Sequence, residues 1–148
     1  MKKEQSKKQP ITKRKNKQKN KGITDYIIKK IFTCTKDQTV FEACKLMAKH
    51  NIGTIVIVDK KDKKKPLGIF TERDLVKKVI TQHKSSTEFL ENVMTRPLVT
   101  CSENSDDVKI SNLMKKNDIK KVVITKNKRL SGIVTQTDMI EFLSNSWL

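Results

Sequence analysis

The sequence predicts an α/β (α+β) protein: a small β-α-β-β-α unit written twice, packed as a pseudo-two-fold pair behind a disordered basic N-terminal tail. Three observations carry this. Thr33-Cys34 and Thr100-Cys101, Leu46-Met47 and Leu113-Met114, and Ile52 and Ile119 recur in one order, each 67 residues apart. Gly68-Ile-Phe-Thr-Glu-Arg-Asp74 returns as Gly132-Ile-Val-Thr-Gln-Thr-Asp138 at an offset of 64, so the second copy has lost three residues from a lysine-rich turn. Between these landmarks the hydrophobic pattern switches from helical to strand periodicity in the same order in both copies. Two irregular copies do not make a solenoid, so the repeat reads as a duplication.

Each element has a local reason. Residues 1–22 hold ten of the 33 basic residues and one acid, Glu4. Such a segment cannot bury enough apolar surface to offset its ordering entropy, so 1–23 is expected to be a disordered tail. The repeats then occupy 24–84 and 85–148. Each opens with a short extended segment at Thr33 or Thr100. In the first copy Thr39-Val-Phe-Glu42 is a capping box, and Val40, Ala43 and Met47, with Cys44 beside them, form an apolar stripe. In the second copy Ser105 is the expected cap, with Val108, Ser111 and Met114 on one face and Ile110 and Leu113 beside it. The β-branched runs Ile55 to Val58 and Val122 to Ile124 follow, apolar enough to be buried on both faces. Lys60 to Lys65 with Pro66, and Lys126 to Arg129, are turns. Gly-Ile-Phe and Gly-Ile-Val give a further strand, after which Thr71 and Thr135 start helices carrying Leu75, Val76, Val79 and Ile80, or Met139, Ile140, Phe142 and Leu143. A unit of about 60 residues buries too little core alone, so the two sheets should pack on each other.

Composition narrows the functions. The longest aliphatic run, Ile55 to Val58, is far below the roughly 20 residues of a membrane helix. The N-terminus lacks the apolar segment of a secretory signal, so a cytoplasmic location is the expectation. Cys34, Cys44 and Cys101 form no C-x-x-C pair, and His50 and His83 have no nearby ligand partner, so no metal site is expected. No nucleophile and base are spaced for catalysis. The +17 net charge and the tail leave two readings open: a solubilising arm, or a weak salt-sensitive hold on nucleic acid without base stacking.

Val93-Met-Thr-Arg-Pro97, Val99-Thr-Cys-Ser102, Leu113-Met114, Val122-Val-Ile124 and Gly132 to Asp138, together with their counterparts through Gly68 to Asp74, resemble a tandem pair of cystathionine β-synthase (CBS) domains, also called a Bateman module. The resemblance covers residues 24 to 143. It implies a non-enzymatic regulatory sensor with no required cofactor, binding AMP, ADP, ATP or S-adenosylmethionine between the repeats and passing its state to an effector protein. It also implies that Asp74 and Asp138 accept hydrogen bonds from ribose hydroxyls while Thr71 and Thr135 contact ribose or phosphate. A carboxylate has two acceptor oxygens for a vicinal diol, and a helix start offers N–H groups to an anion. The same Thr-x-x-Asp pattern is equally a helix cap, and the two roles coexist only where the Asp keeps an oxygen to spare.

By the same resemblance each cleft joins the Thr–Asp motif of one repeat to the first strands of the other. Thr33, Thr54 and Ile55 go to Asp138, and Thr100, Lys121 and Val122 go to Asp74. Gly53-Thr54 against Lys120-Lys121 makes the Asp138 cleft the roomier one for a base, with Arg73 and Arg96 as phosphate partners on the other side. A homodimer is expected to cover Leu75, Val79, Met139 and Phe142. A nucleic-acid-associated protein using the tail, and a purely structural dimerisation module with degenerate clefts, remain as alternatives.

Overall fold

The computed structural model describes residues 22–146; the expected disordered tail lies outside the described residues except at its end. That end departs from expectation, because Ile23 is only 4% exposed and starts a 3-10 turn, Ile23–Tyr26. The chain then forms β1 (Thr33–Thr35), α1 (Val40–His50), β2 (Thr54–Val58), β3 (Pro66–Thr71) and α2 (Glu72–Asp74), which continues as a π-helix over Leu75–Ile80. A 3-10 turn, Leu90–Asn92, leads to β4 (Thr100–Ser102), α3 (Asp107–Asn117), β5 (Lys121–Lys126), β6 (Arg129–Thr135) and α4 (Gln136–Ser146). No helix among the described residues is long and apolar enough to cross a membrane.

The duplication is visible in the sheets. Each has three strands with the middle one parallel to the first and antiparallel to the third: β1-β2-β3 and β4-β5-β6. The continuous apolar runs follow from the period of two along a strand. Ile55 and Ile57 face a core closed by α1 and the π-helix, and Val122 and Ile124 face its counterpart. The alternate residues Val56, Val58 and Val123, with Leu130, form a third core between the two sheets. Both faces of the middle strands are thus buried, as their sequence requires.

The helix starts divide. Thr39 caps α1 with the reciprocal box, its hydroxyl accepting from the Glu42 N–H while Glu42 accepts from the Thr39 N–H at 2.7 Å. In the second copy the cap is Asp106, which accepts from the Lys109 N–H at 2.8 Å, and not Ser105. Ser105 is buried, and its hydroxyl has no partner among the described residues. In α3 Ile110 and Met114, four residues apart, face inward and Val108 is exposed, so the stripe expected through Val108 and Ser111 is not the core face. Burial raises the Cys34 thiol to about 11, with the Glu42 charge adding to it.

The cores do not follow the order of the chain. Ile23, Tyr26 and Ile27, which precede the first repeat, pack in the core of the second; Leu90, Val93 and Met94, which precede the second, pack in the core of the first. The exchange is made by paired backbone bonds. The Ile28 N–H donates to the Ile133 carbonyl at 2.9 Å and the Ile133 N–H to the Ile28 carbonyl at 3.0 Å; Thr95 and Ile69 do the same at 2.7 and 3.1 Å. Each arm bridges the edge of its sheet along the third strand, beside the glycine of the repeated motif. A methyl on Gly132 would lie 2.2 Å from Ile27 Cγ2, and one on Gly68 would lie 2.9 Å from the Thr95 carbonyl oxygen. Neither glycine has positive φ, so space and not backbone freedom is what selects it. The sequence boundary at 84/85 therefore divides the chain but not the packing.

The helix faces also differ from expectation. Val79 and Met139 are buried within the chain and Leu75 and Phe142 pack against the same cores, so no second copy is needed to cover them. The uncovered residues lie one position away: Val76, Ile80 at 63% exposed, Ile140 at 60% exposed, and Leu143.

Gly132→Ala should destabilise the fold by about 1–3 kcal/mol, the cost of overpacking. Part of that loss should disappear in an Ile27→Ala background, because the colliding methyl is then gone. Urea unfolding of the four proteins of this double-mutant cycle measures both, and strict additivity would show that the arm does not press on Gly132.

Candidate functional site

The two Thr–Asp motifs stand where each third strand turns into a helix, and in both the Thr is the last strand residue. Their capping geometry is the same. Asp74 Oδ2 accepts from the Thr71 N–H at 3.0 Å and from its hydroxyl at 3.2 Å, while the Asp74 N–H donates to the Thr71 hydroxyl at 3.3 Å. Asp138 Oδ2 accepts from the Thr135 N–H and hydroxyl, both at 2.7 Å, with the return bond at 3.2 Å. Both motifs are therefore caps, and what separates them is the second carboxylate oxygen.

Asp74 Oδ1 is fully used. It accepts from the Thr95 hydroxyl at 2.7 Å and pairs with Lys78 Nζ at 3.0 Å, and Lys78 also donates to the Thr95 hydroxyl at 2.8 Å. The carboxylate is 5% exposed, and a carboxylate accepts about four hydrogen bonds, so none remains for a ligand. Asp138 Oδ1 has no hydrogen-bond partner among the described residues. The repeat explains the difference: Ile28 stands where Thr95 does, 67 residues apart, and Phe142 stands where Lys78 does, 64 apart. Both replacements lack a donor.

A cavity of about 240 Å³ lies against Asp74. Gly53, Thr71, Asp74, Thr95, Val99 and Lys121 are among its walls. Gly53 belongs here because its carbonyl accepts the Glu72 N–H at 3.1 Å, which holds it at the start of the first-repeat helix. The counterpart of Val99 is Phe32, whose larger ring packs on the first core and stacks on His50 at 3.8 Å between ring centres. Lys121 is held half-buried in the cavity wall. Burial lowers its pKa, as does the nearby Lys120, while the Glu72 charge acts in the opposite sense.

Of the residues expected at this cleft, Thr71, Asp74 and Lys121 come together. Thr100 does not; it lines a separate groove with Lys65, Arg96 and Lys128. Val122 is core. Arg73 lines the cavity but is engaged, donating to the Asp118 carbonyl at 2.7 Å, and Arg96 lies in the other groove. On the other side Thr135 and Asp138 are joined by the cap, and no hydrogen bond among the described residues links Thr33, Thr54 or Ile55 to Asp138. Ile55 is core, while the Thr54 hydroxyl is buried without a partner. Sequence reasoning missed Thr95 and Lys78. Lys78 carried a signal, four residues after Asp74 on one helix, whereas Thr95 reaches the site only through the exchanged arm.

The model of the CBS domain matches the chain twice, over residues 23–81 and 90–145. The chain belongs to the CBS-domain family. Relatives of this CBS pair include a protein of Methanopyrus kandleri, 35% identical over 113 residues that cover 75% of the chain and 57% of that protein. The mitochondrial CBS domain-containing protein CBSX3 of Arabidopsis thaliana is 34% identical over 110 residues, 72% of the chain and 53% of CBSX3. The chain thus spans little over half the length of these two relatives. Among solved structures, the CBS domain pair of protein MJ0100, in complex with 5′-methylthioadenosine and S-adenosyl-L-methionine, superposes with a TM-score of 0.76 at 29% identity, covering 85% of this chain and 98% of that one.

Thr95→Val should cost about 1–3 kcal/mol, because it removes a donor from a buried carboxylate. Thr135→Ala should cost about 1 kcal/mol, the worth of a cap. Denaturant unfolding reads both; a Thr95→Val protein as stable as its parent would show that Lys78 alone satisfies Asp74.

Proposed function

We propose that this CBS pair is a non-enzymatic ligand sensor whose Asp138 cleft grips the ribose diol of an adenosyl ligand. The observation that carries the reading is the spare Oδ1 of Asp138, set against the four bonds already made by Asp74. Thr54, the counterpart of Lys121, adds a second unused hydrogen-bonding group on that side of the repeat. The cavity beside Asp74, at about 240 Å³, is smaller than the roughly 300–1,000 Å³ of small-molecule pockets. The assignment to Asp138 rests on hydrogen-bonding capacity and not on volume. The ligand class is the one the family resemblance implies, AMP, ADP, ATP or S-adenosylmethionine, and the related MJ0100 pair, solved with 5′-methylthioadenosine and S-adenosyl-L-methionine, supports its adenosyl part. Thr33 and Thr54 supply the other wall of the Asp138 cleft in this reading, while Thr71 and Lys121 flank the latched one at Asp74. Binding shifts the pair between two packings only as far as it favours one of them, and an effector protein receives that state.

Asp138→Ala should weaken an adenosyl ligand about tenfold to a hundredfold, the worth of a charged hydrogen bond. Calorimetry with each ligand and its 2′-deoxy form tests this. The parent should discriminate against the deoxy ligand, and Asp138→Ala should not. Equal discrimination in both proteins removes Asp138 from the ribose site.

The same reading includes a homodimer, with the exposed stripe Val76, Ile80, Ile140 and Leu143 as its contact. Ile80→Lys with Ile140→Lys should give a monomer in sedimentation at micromolar concentration. A parent that is itself monomeric, with or without ligand, would remove the dimer.

A further inference from the structure

The end of the molecule away from the clefts has its own chemistry. Thr54 faces Thr71 and Lys121 faces Thr135 at the cleft end, while Val58 faces Pro66 and Lys126 faces Arg129 at the other. Thr54 and Val58 stand four steps apart on β2, about 13 Å at the usual strand rise. There the two lysine-rich turns are clasped together. Arg129 donates to both oxygens of Asp62 at 3.0 Å, and the Leu130 N–H donates to the Lys64 carbonyl at 2.8 Å.

The acids of these turns stay ionised but are held in local bonds. Asp62 is taken by Arg129, and Asp59 accepts from the backbone N–H groups of Lys61 and Asp62, both at 2.9 Å. Lys60 is paired with Asp37 and Lys126 with Glu103. Lys61, Lys63, Lys64, Lys65, Lys128 and Arg96 have no ion pair among the described residues. Lys65, Lys128 and Arg96 line an open groove of about 680 Å³ beside the clasp, with the hydroxyl-bearing Thr100 and Thr125 in its wall and Leu98 half-buried among them.

We propose that this groove binds the phosphate backbone of a single-stranded nucleic acid without reading its bases. Five of the six unpaired cations are lysines, point charges that follow a chain of phosphates without the fixed fork geometry of arginine. Threonine hydroxyls are ordinary phosphate donors. No aromatic ring lines the groove, so base stacking and the sequence preference it brings are absent. The groove is open, and Pro66, Leu67, Pro97 and Leu98 give it an apolar floor between the cations. The groove adjoins the Asp74 cavity, with which it shares Pro97 and Leu98.

The test uses the full chain and a labelled 20-nucleotide single-stranded RNA followed by fluorescence anisotropy across a salt series. One variant carries Lys64→Gln, Lys65→Gln and Lys128→Gln. A charge-matched control carries Lys45→Gln, Lys49→Gln and Lys115→Gln, exposed positions on α1 and α3. The groove variant should lose about tenfold or more in affinity at moderate salt, and its plot of log K against log salt should be shallower by about 2, since each single-strand phosphate contact contributes about 0.7. The control should stay within about twofold of the parent. Equal losses in both variants would assign binding to net charge or to residues 1–22 and overturn the groove. So would a parent that binds no RNA, or displacement of the RNA by polyglutamate at equal charge.

Discussion

Two arms bridge the edges of two sheets where only glycine leaves room for them. This pairing organises the remainder of the structure. It ties Ile28 to Ile133 and Thr95 to Ile69, carries Ile23 and Leu90 each into the core of the opposite repeat, and sets what stands beside each Thr–Asp motif. A cut at the sequence boundary between the repeats would strip Leu90, Val93 and Met94 from the first core. The pair is therefore one folding unit made from two sequence units, each incomplete without the arm that enters the other.

Much of this was legible in the sequence, and the failures have a common cause. The strand order, the Thr39 box and the double burial of Ile55 to Val58 follow from periods of 3.6 and 2 and from local capping, which the sequence displays directly. The shift of the cap from Ser105 to Asp106 was a local ambiguity between two good capping residues, one position apart. The helix stripes failed in a related way: Val76 and Val79 are both aliphatic, and only the packing says which faces inward. Long-range partners were not legible at all. Nothing near Asp74 in the chain announces Thr95, and nothing in Gly68 or Gly132 says that the space they leave is filled by a segment from elsewhere. The Asp74–Lys121 association was implied by the family resemblance, whereas the turning of Thr100 away from it was not.

Duplication kept the shape of the two motifs and let their chemistry part. The cap is retained in both because a helix start needs its N–H groups satisfied whichever ligand is bound. The second carboxylate oxygen carries no such obligation, so it was free to diverge. Near Asp74 a hydroxyl and an ammonium close the shell, giving a buried charge its compensation within the protein. Near Asp138 an isoleucine and a phenylalanine occupy the same places, and the carboxylate is left half-buried with capacity unspent. Two substitutions thus separate a structural acid from one available for recognition.

The Asp62–Arg129 clasp is one of the fastenings between the repeats. It holds the hairpin turns with two parallel hydrogen bonds, and at the end where the clefts lie Arg73 of the first repeat donates to the Asp118 carbonyl of the second at 2.7 Å. With the two ends about 13 Å apart along the strands, opening either by about 1 Å takes a rotation of about 4° about the other. A rotation that small leaves the opposite fastening made, so the pair is buttoned at both ends and either button can be undone without the other.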